Sequence, residues 1–232
     1  MIYFITPLTD DKNFDKFLGP SLKKLKNSDY HLTRVYGKQD IFQKYNQGLN
    51  ELKPRLKSDD VVVFLHEDIT ILDEFFIKKI QMYFQHKTKV GIAGVIGTTK
   101  YSEHGGWWMV DRTVHGRGSI MQGHPGGAPH MMTDRKGNFD DLVSVDGCIL
   151  FMKSDLAKRF QFENTAIDGF HFYDSDSCFK ALRMGFDVGT IDVLVQHESE
   201  GPMPESWNTN KDKFIKKWSD LGFKFPITKE QF

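Results

Sequence analysis

Three groups of residues have the types that do chemistry. Leu65-His66-Glu67-Asp68 follows directly on the apolar run Val61-Val62-Val63-Phe64-Leu65. Such a run reads as a strand covered on both faces, and in open α/β sheets ligands gather beyond the carboxyl ends of strands. Carboxylates placed there suit a metal or a phosphate-linked substrate; they equally suit a turn into a helix capped by Thr70 or Asp73. The second group is Phe170-His171-Phe172-Tyr173-Asp174-Ser175-Asp176-Ser177-Cys178. Capping and the helix dipole account for one acid in a first turn. They account less well for two acids among aromatics, where partial burial raises a carboxylate's basicity towards general-base work. The third is His197, just beyond Val193-Leu194-Val195-Gln196. A lone histidine becomes a ligand only when a partner meets it in space.

Other residues are weaker signals. Trp107 and Trp108 offer indole faces to the C–H face of a sugar, or a satellite core beneath a loop. Gly123-His124-Pro125-Gly126-Gly127 is glycine-rich, but it lacks a Gly-Lys-Ser/Thr ending and opens no periodic helix, which excludes a P-loop. His104, His115, His124 and His130 have neither zinc-finger nor His-Glu-x-x-His spacing. Cys148 and Cys178, in apolar surroundings, are too few for a disulfide framework or a four-cysteine zinc site and read as buried thiols.

These groups need elements to hold them. Short β-rich runs alternate with helical periodicity, the mark of a parallel sheet with crossover helices. Strands are expected at Ile2 to Pro7, His31 to Tyr36, Asp60 to His66 and Lys89 to Ile96. Between the last two, Leu72, Phe75, Phe76, Ile80, Tyr83 and Phe84 recur at helical spacing, with Asp73, Lys78, Lys79 and Gln85 left to face water. From Gly97 to Asn138 glycine and histidine accumulate around the tryptophan pair, which predicts a long functional loop rather than a linker. Structure resumes at Leu142 to Lys153, then a helix over Phe172 to Met184, a strand at Asp187 to Val195 and a last amphipathic helix over Asn210 to Leu221. The expectation is one α/β domain over 1–232, with a loop region at 97–142 and a C-terminal helix and tail at 208–232.

Composition sets the limits. Lys+Arg and Asp+Glu are both 31 in 232 residues, so no net charge draws the chain to nucleic acid or an anionic membrane. Hydrophobic residues at 39% exclude a disordered chain. No apolar run approaches the roughly 18 to 20 residues needed to span a bilayer. Phe214, Ile215 and Trp218 beside Lys211, Lys213, Lys216 and Lys217 suit an interfacial helix, but the apolar face is short and core packing is the expectation. The N-terminus has no basic stretch and no adequate apolar region for a signal peptide, so the cytoplasm is the expected location.

Taken in order, the pieces resemble the GT-A fold of nucleotide-sugar glycosyltransferases, family 2 and its streptomycin-biosynthesis-type branch. Tyr45-Asn46-Gln47-Gly48-Leu49, Phe64-Leu65-His66-Glu67-Asp68, Val145-Asp146-Gly147-Cys148-Ile149-Leu150-Phe151, and Tyr173-Asp174-Ser175-Asp176-Ser177-Cys178 followed by His197 carry the resemblance. It implies that His66-Glu67-Asp68 stands where the family has Asp-x-Asp, with Asp68 matching the aspartate that binds the divalent metal, Mn²⁺ or Mg²⁺, on the donor diphosphate. His66 stands in for the first aspartate. His197 matches a late histidine that joins the metal in some members. Asp174 matches the base of inverting members, and Tyr173 replaces the acid that precedes it.

The implied chemistry is transfer of a sugar from a nucleotide-sugar donor to a hydroxyl acceptor, in glycan or polysaccharide biosynthesis. The metal stabilises the departing diphosphate while Asp174 takes the acceptor proton. By the same resemblance Tyr36, Asn46, His66, Glu67 and Asp68 lie on the donor side, with Tyr36 stacking on the base. Trp107, Trp108, Asp146, Gly147 and Asp176 lie on the acceptor and sugar side. Two alternatives stay open. A nucleotidyltransferase also uses metal-bound carboxylates, but Thr6 to Asp11 supplies no basic phosphate loop. A binding protein that keeps the fold without catalysis is compatible with the changes at His66 and Tyr173.

Overall fold

A computed structural model of the chain describes residues 1–25, 29–123, 127–198 and 203–232. Strand β1 (Ile2–Leu8) leads through a π-helical turn at Phe14–Leu18 to α1 (Gly19–Lys23) and β2 (Tyr30–Tyr36). There follow α2 (Ile41–Leu52), β3 (Val61–Leu65), β4 (Ile69–Ile71), α3 (Phe76–His86) and β5 (Val90–Gly94). Every residue of β3 and β5 is buried, as a continuous apolar strand between two layers requires. Helix α2 starts where Asp40 accepts a bond from the Gln43 N–H at 2.8 Å. Helix α3 is shorter than its periodicity suggests, because Leu72 and Phe75 lie before it and are exposed.

The segment expected as a long loop is largely sheet. It holds β6 (Ile96–Thr98), β7 (Lys100–Tyr101), α4 (Arg112–His115), β8 (Gly116–Gly123), β9 (His130–Thr133) and β10 (Phe139–Leu142). Its glycines mark close backbone packing rather than looseness. A Cβ at Gly97 would collide with the Ser144 carbonyl, and Gly118, with φ +91°, lies on the Val95 carbonyl. His124 and the centre of its glycine-rich stretch lie outside the described residues. The chain continues as β11 (Ser144–Val145), β12 (Ile149–Lys153), α5 (Ser154–Ala157), α6 (Tyr173–Arg183), β13 (Asp187–Thr190), β14 (Val195–Glu198), α7 (Glu205–Asp220) and β15 (Ile227–Thr228).

The central seven-stranded sheet has the order β10-β13-β5-β12-β3-β1-β2. Strands β1, β2, β3, β5 and β13 share one direction, while β12 and the edge strand β10 run against it, so the sheet is mixed. The opposed strand positions the site. Ile149 pairs with Leu65, so the residues before β12 lie beside those after β3, and the His66 N–H donates to the Cys148 carbonyl at 3.0 Å. A second sheet, β11-β6-β8-β14-β4, carries the other side. Asp187 to Val195, expected as one strand, divides: β13 stays in the central sheet and β14 crosses to the second. There His197 pairs with Ile69, and the Glu198 N–H donates to the Asp68 carbonyl at 3.2 Å. Helix α7 spends its apolar face on the core, with Phe214 and Trp218 packed on Phe179. No helix among the described residues is long and apolar enough to cross a membrane.

Candidate functional site

Two sheets thus deliver three side chains to one point. His66 and Asp68 come from the end of β3 and His197 from β14, and one ligand atom from each lies within 4.8 Å of the others. Asp68 Oδ1 is 4.0 Å from His66 Nδ1 and 3.7 Å from His197 Nε2. Burial, and then the neighbouring His197, push the His66 pKa down to about 3, so its imidazole is neutral at ordinary pH. Two imidazole nitrogens and a carboxylate oxygen make a donor set for a divalent cation. Sequence reasoning placed His66 on the donor side with Glu67 and Asp68, and the geometry brings it to Asp68 and His197.

Asp174 stands at the start of α6. Burial, and then the nearby Asp146, raise its pKa from 3.8 to about 7, against backbone N–H bonds from Ser175 and Gly147 that oppose the shift. Its approach is set by Phe172, the one non-glycine residue with positive φ (66°) among the described residues. Bulky residues avoid this conformation at a cost of about 1–3 kcal/mol, and it persists where packing over-determines it. Here Phe172 is clamped between Phe214 and Trp207, each ring centroid 5.3 Å away. Asp146 is fixed from two sides, accepting from the Cys148 N–H at 2.8 Å and from Trp107 Nε1 at 3.0 Å. A Cβ on Gly147 would lie 2.5 Å from the Tyr173 hydroxyl and 2.8 Å from Asp174 Cβ, so the space this glycine leaves is taken by the head of α6.

Two cavities meet here. The larger, about 910 Å³, is lined by Asn13, Asp40, Lys44, Glu67, Asp68 and, from α7, Asn210 and Lys213, among others. The smaller, about 350 Å³, is aromatic, with Trp107, Trp108, Phe172, Tyr173 and Trp207 around Asp146 and Asp174. His66, Phe170 and His197 line both. In the larger cavity the Asn13 amide donates to Glu67 at 3.3 Å, and burial raises the Glu67 pKa. The buried Lys44 ammonium donates to the Leu8 carbonyl at 2.8 Å.

Three residues expected in the site are elsewhere, and for two the helix repeat gives the reason: residues two apart are about 200° apart around a helix. Asp176 therefore faces away from Asp174. Buried, it accepts from Lys217 Nζ at 2.7 Å and Trp218 Nε1 at 3.1 Å, docking α7 rather than meeting a sugar. Asn46 likewise turns from the cavity that Lys44 faces, and both ends of its amide bond the Phe162 backbone, at 2.7 and 2.8 Å. Tyr36 is exposed at the sheet edge and donates to Asp11 at 2.6 Å, off the lining of either cavity. Trp107 and Trp108 do line the smaller cavity, Trp107 buried and Trp108 at its rim. Sequence reasoning missed Lys44 and the polar face of α7, neither of which sits in a motif, and gave Phe170, the first residue of its second group, no role. Cys148 and Cys178 are buried free thiols, as expected.

The model of a glycosyltransferase-like family matches residues 3–218. The chain belongs to that family. No curated protein matches it in sequence. Among solved structures, this glycosyltransferase-family chain is similar to the mannosyltransferase PcManGT of Pyrobaculum calidifontis, in complex with GDP-Man and Mn²⁺. That match has 11% identity and a TM-score of 0.50, covering 84% of this chain and 56% of that one. It is also similar to GalNAc-T7 with UDP, GalNAc and Mn²⁺, at 8% identity and a TM-score of 0.48, over 89% of this chain and 45% of that one. The family member described here thus spans about half the length of each of these chains. The α/β architecture with a mixed central sheet is the GT-A fold expected of it.

Proposed function

We propose that the protein is a metal-dependent, inverting glycosyltransferase that moves a sugar from a nucleoside diphosphate sugar to an acceptor hydroxyl. The observation that carries this is the seam: His66 and His197, two of the three clustered ligands, line both cavities. A diphosphate on the cluster occupies the larger cavity and turns its sugar towards Asp174 in the smaller. The GDP-Man and Mn²⁺ in the mannosyltransferase of the same fold support this donor class.

His66, Asp68 and His197 fit a divalent cation, with coordination positions left for phosphate oxygens and water, and their nitrogens favour Mn²⁺ over Mg²⁺. Such an ion supplies Lewis-acid stabilisation of the departing diphosphate. Lys44 adds a positive charge beside the phosphates from the wall of the donor cavity. Asp146, held by Trp107 and the Cys148 N–H, accepts bonds from sugar hydroxyls. Trp108 and Trp207 present faces to the acceptor ring. Asp174, with a pKa near 7, takes the acceptor's proton as its oxygen attacks the anomeric carbon from the side opposite the leaving group.

Thermal shift with UDP, dTDP, GDP, CDP and CMP, each with and without Mn²⁺, identifies the donor and permits an acceptor screen. Asp174→Asn should then retain Mn²⁺-dependent nucleotide binding and lose about 10²- to 10⁴-fold in transfer. Transfer at the wild-type rate would remove Asp174 from the mechanism. Release of pyrophosphate would mark a nucleotidyltransferase, and a product of retained configuration would overturn inversion.

A further inference from the structure

Tyr173 makes two short bonds through one hydroxyl. Its oxygen is 2.5 Å from the Gly147 carbonyl oxygen and 2.7 Å from His66 Nε2. A carbonyl oxygen only accepts, so the phenol's single proton is committed to Gly147. Towards His66 the phenolic oxygen can then only accept, and the proton in that bond must belong to Nε2. A neutral imidazole protonated on Nε2 carries its lone pair on Nδ1. Nδ1 is the atom that faces the Asp68 carboxylate.

We propose that Tyr173 is a positioning residue that holds His66 in the Nε2–H tautomer and so aims its Nδ1 lone pair at a cation shared with Asp68 and His197. The proposal rests on the metal-dependent reading above. It also joins by a direct hydrogen bond the two residues, His66 and Tyr173, that by the family resemblance stand in place of acids. Histidine offers what aspartate does not, a donor on one edge and a ligand on the other. The arrangement is rigid at both ends. The Tyr173 ring is buried against the edges of Phe42 and Tyr45, and Gly147 admits its hydroxyl only because it has no Cβ. Tyr173 also opens the helix that carries Asp174, so one residue orients a ligand and anchors the base's element. Partners that orient a metal-bound histidine typically govern 10- to 100-fold in metal affinity.

Three measurements test this. In metal-free wild-type protein, long-range ¹H–¹⁵N correlation spectra should show His66 protonated on Nε2 and bare on Nδ1; the opposite tautomer overturns the proposal. By the electron paramagnetic resonance of free Mn²⁺, Tyr173→Phe should bind the ion at least 10-fold more weakly, with metal-free nucleotide binding unchanged. His66→Gln sets an amide N–H near the Nε2 position, preserving the bond to Tyr173 while leaving nothing at Nδ1, and should lose Mn²⁺ affinity at least as far. Unchanged affinity in either variant overturns the proposal. If Tyr173→Phe fails to fold, the wild-type spectrum and His66→Gln decide. Wild type that binds no Mn²⁺ with any nucleotide sinks the metal-dependent reading and this proposal together, whereas wild-type binding that both variants retain sinks this proposal alone.

Discussion

At the scale of single residues, the surroundings that suit Asp174 to the proposed role of base work against stability. Burial and Asp146 keep its proton on to about pH 7, where the unfolded chain has already released it near 4. The native state therefore binds the extra proton between those values, and stability falls as pH rises through that window. Well above pH 7 the penalty is fully present, on the order of 4 kcal/mol. Asp174→Asn removes it. In EDTA the variant should melt above wild type at pH 8, with the gap closing towards pH 5; a variant that melts lower at pH 8 would show that the ionised carboxylate is not destabilising. Residue types and their order were legible in the sequence at this scale, since His66, Asp68, Asp146, Asp174 and His197 all face the two cavities. Direction was not. Asp176 and Asn46 sit two residues along, and so across the helix, from Asp174 and Lys44, which do face the site, and nothing in the spelling distinguishes them. Lys44 was hidden for the opposite reason: a lysine among helix residues reads as solvent-facing, and only the fold shows it capping the Leu8 carbonyl.

Among the elements, α7 lines both cavities and also holds in place residues of other elements. Its Phe214 and Trp207 clamp Phe172 in the left-handed region, and its Lys217 and Trp218 hold Asp176. Asp176 is buried and its pKa is raised by burial despite Lys217, so the pair is costly to break from one side only. Lys217→Met takes the ammonium from a buried carboxylate, leaving it the Trp218 N–H, and should cost about 3–5 kcal/mol, which urea unfolding would measure. Adding Asp176→Leu should recover much of that loss; if the double variant is no more stable than the single, the pair is not the source of the cost. The periodicity of α7 made it visible as a helix, and its apolar face suited core or membrane alike. What decided for core was Phe179 and Phe172, residues distant in sequence. The same non-locality hid the division of β13 from β14, whose apolar run continues while the chain changes sheet. It also hid the strands between Ile96 and Leu142, where glycines that permit backbone contact look in sequence like glycines that permit motion.

Across the whole molecule, the larger cavity is walled by segments distant in sequence: Pro7 in β1 with Thr9 and Asn13 after it, Lys44 on α2, the residues after β3, Gly169 and Phe170, and Ser206, Thr209, Asn210 and Lys213 along one face of α7. A ligand seated there ties the first strand to the last long helix. Its binding energy is then expressed in the global stability, about 2.7 kcal/mol at a concentration 100 times Kd. Hydrogen exchange gives this a spatial form. With the nucleoside diphosphate and Mn²⁺, amides in residues 9–13 and at the start of α7 should gain protection together, with the same ligand dependence. Lys44→Met should weaken the diphosphate by roughly 10- to 100-fold through loss of one charge-assisted bond while leaving the free nucleoside nearly unaffected. Protection confined to one end of the chain would mean that the cavity's two walls do not close on one ligand. Equal weakening of nucleoside and diphosphate would place the phosphates away from Lys44 and turn the donor around in the site. Protection at both ends with the diphosphate singled out fixes its orientation, nucleotide in the larger cavity and sugar at the seam beside Asp174.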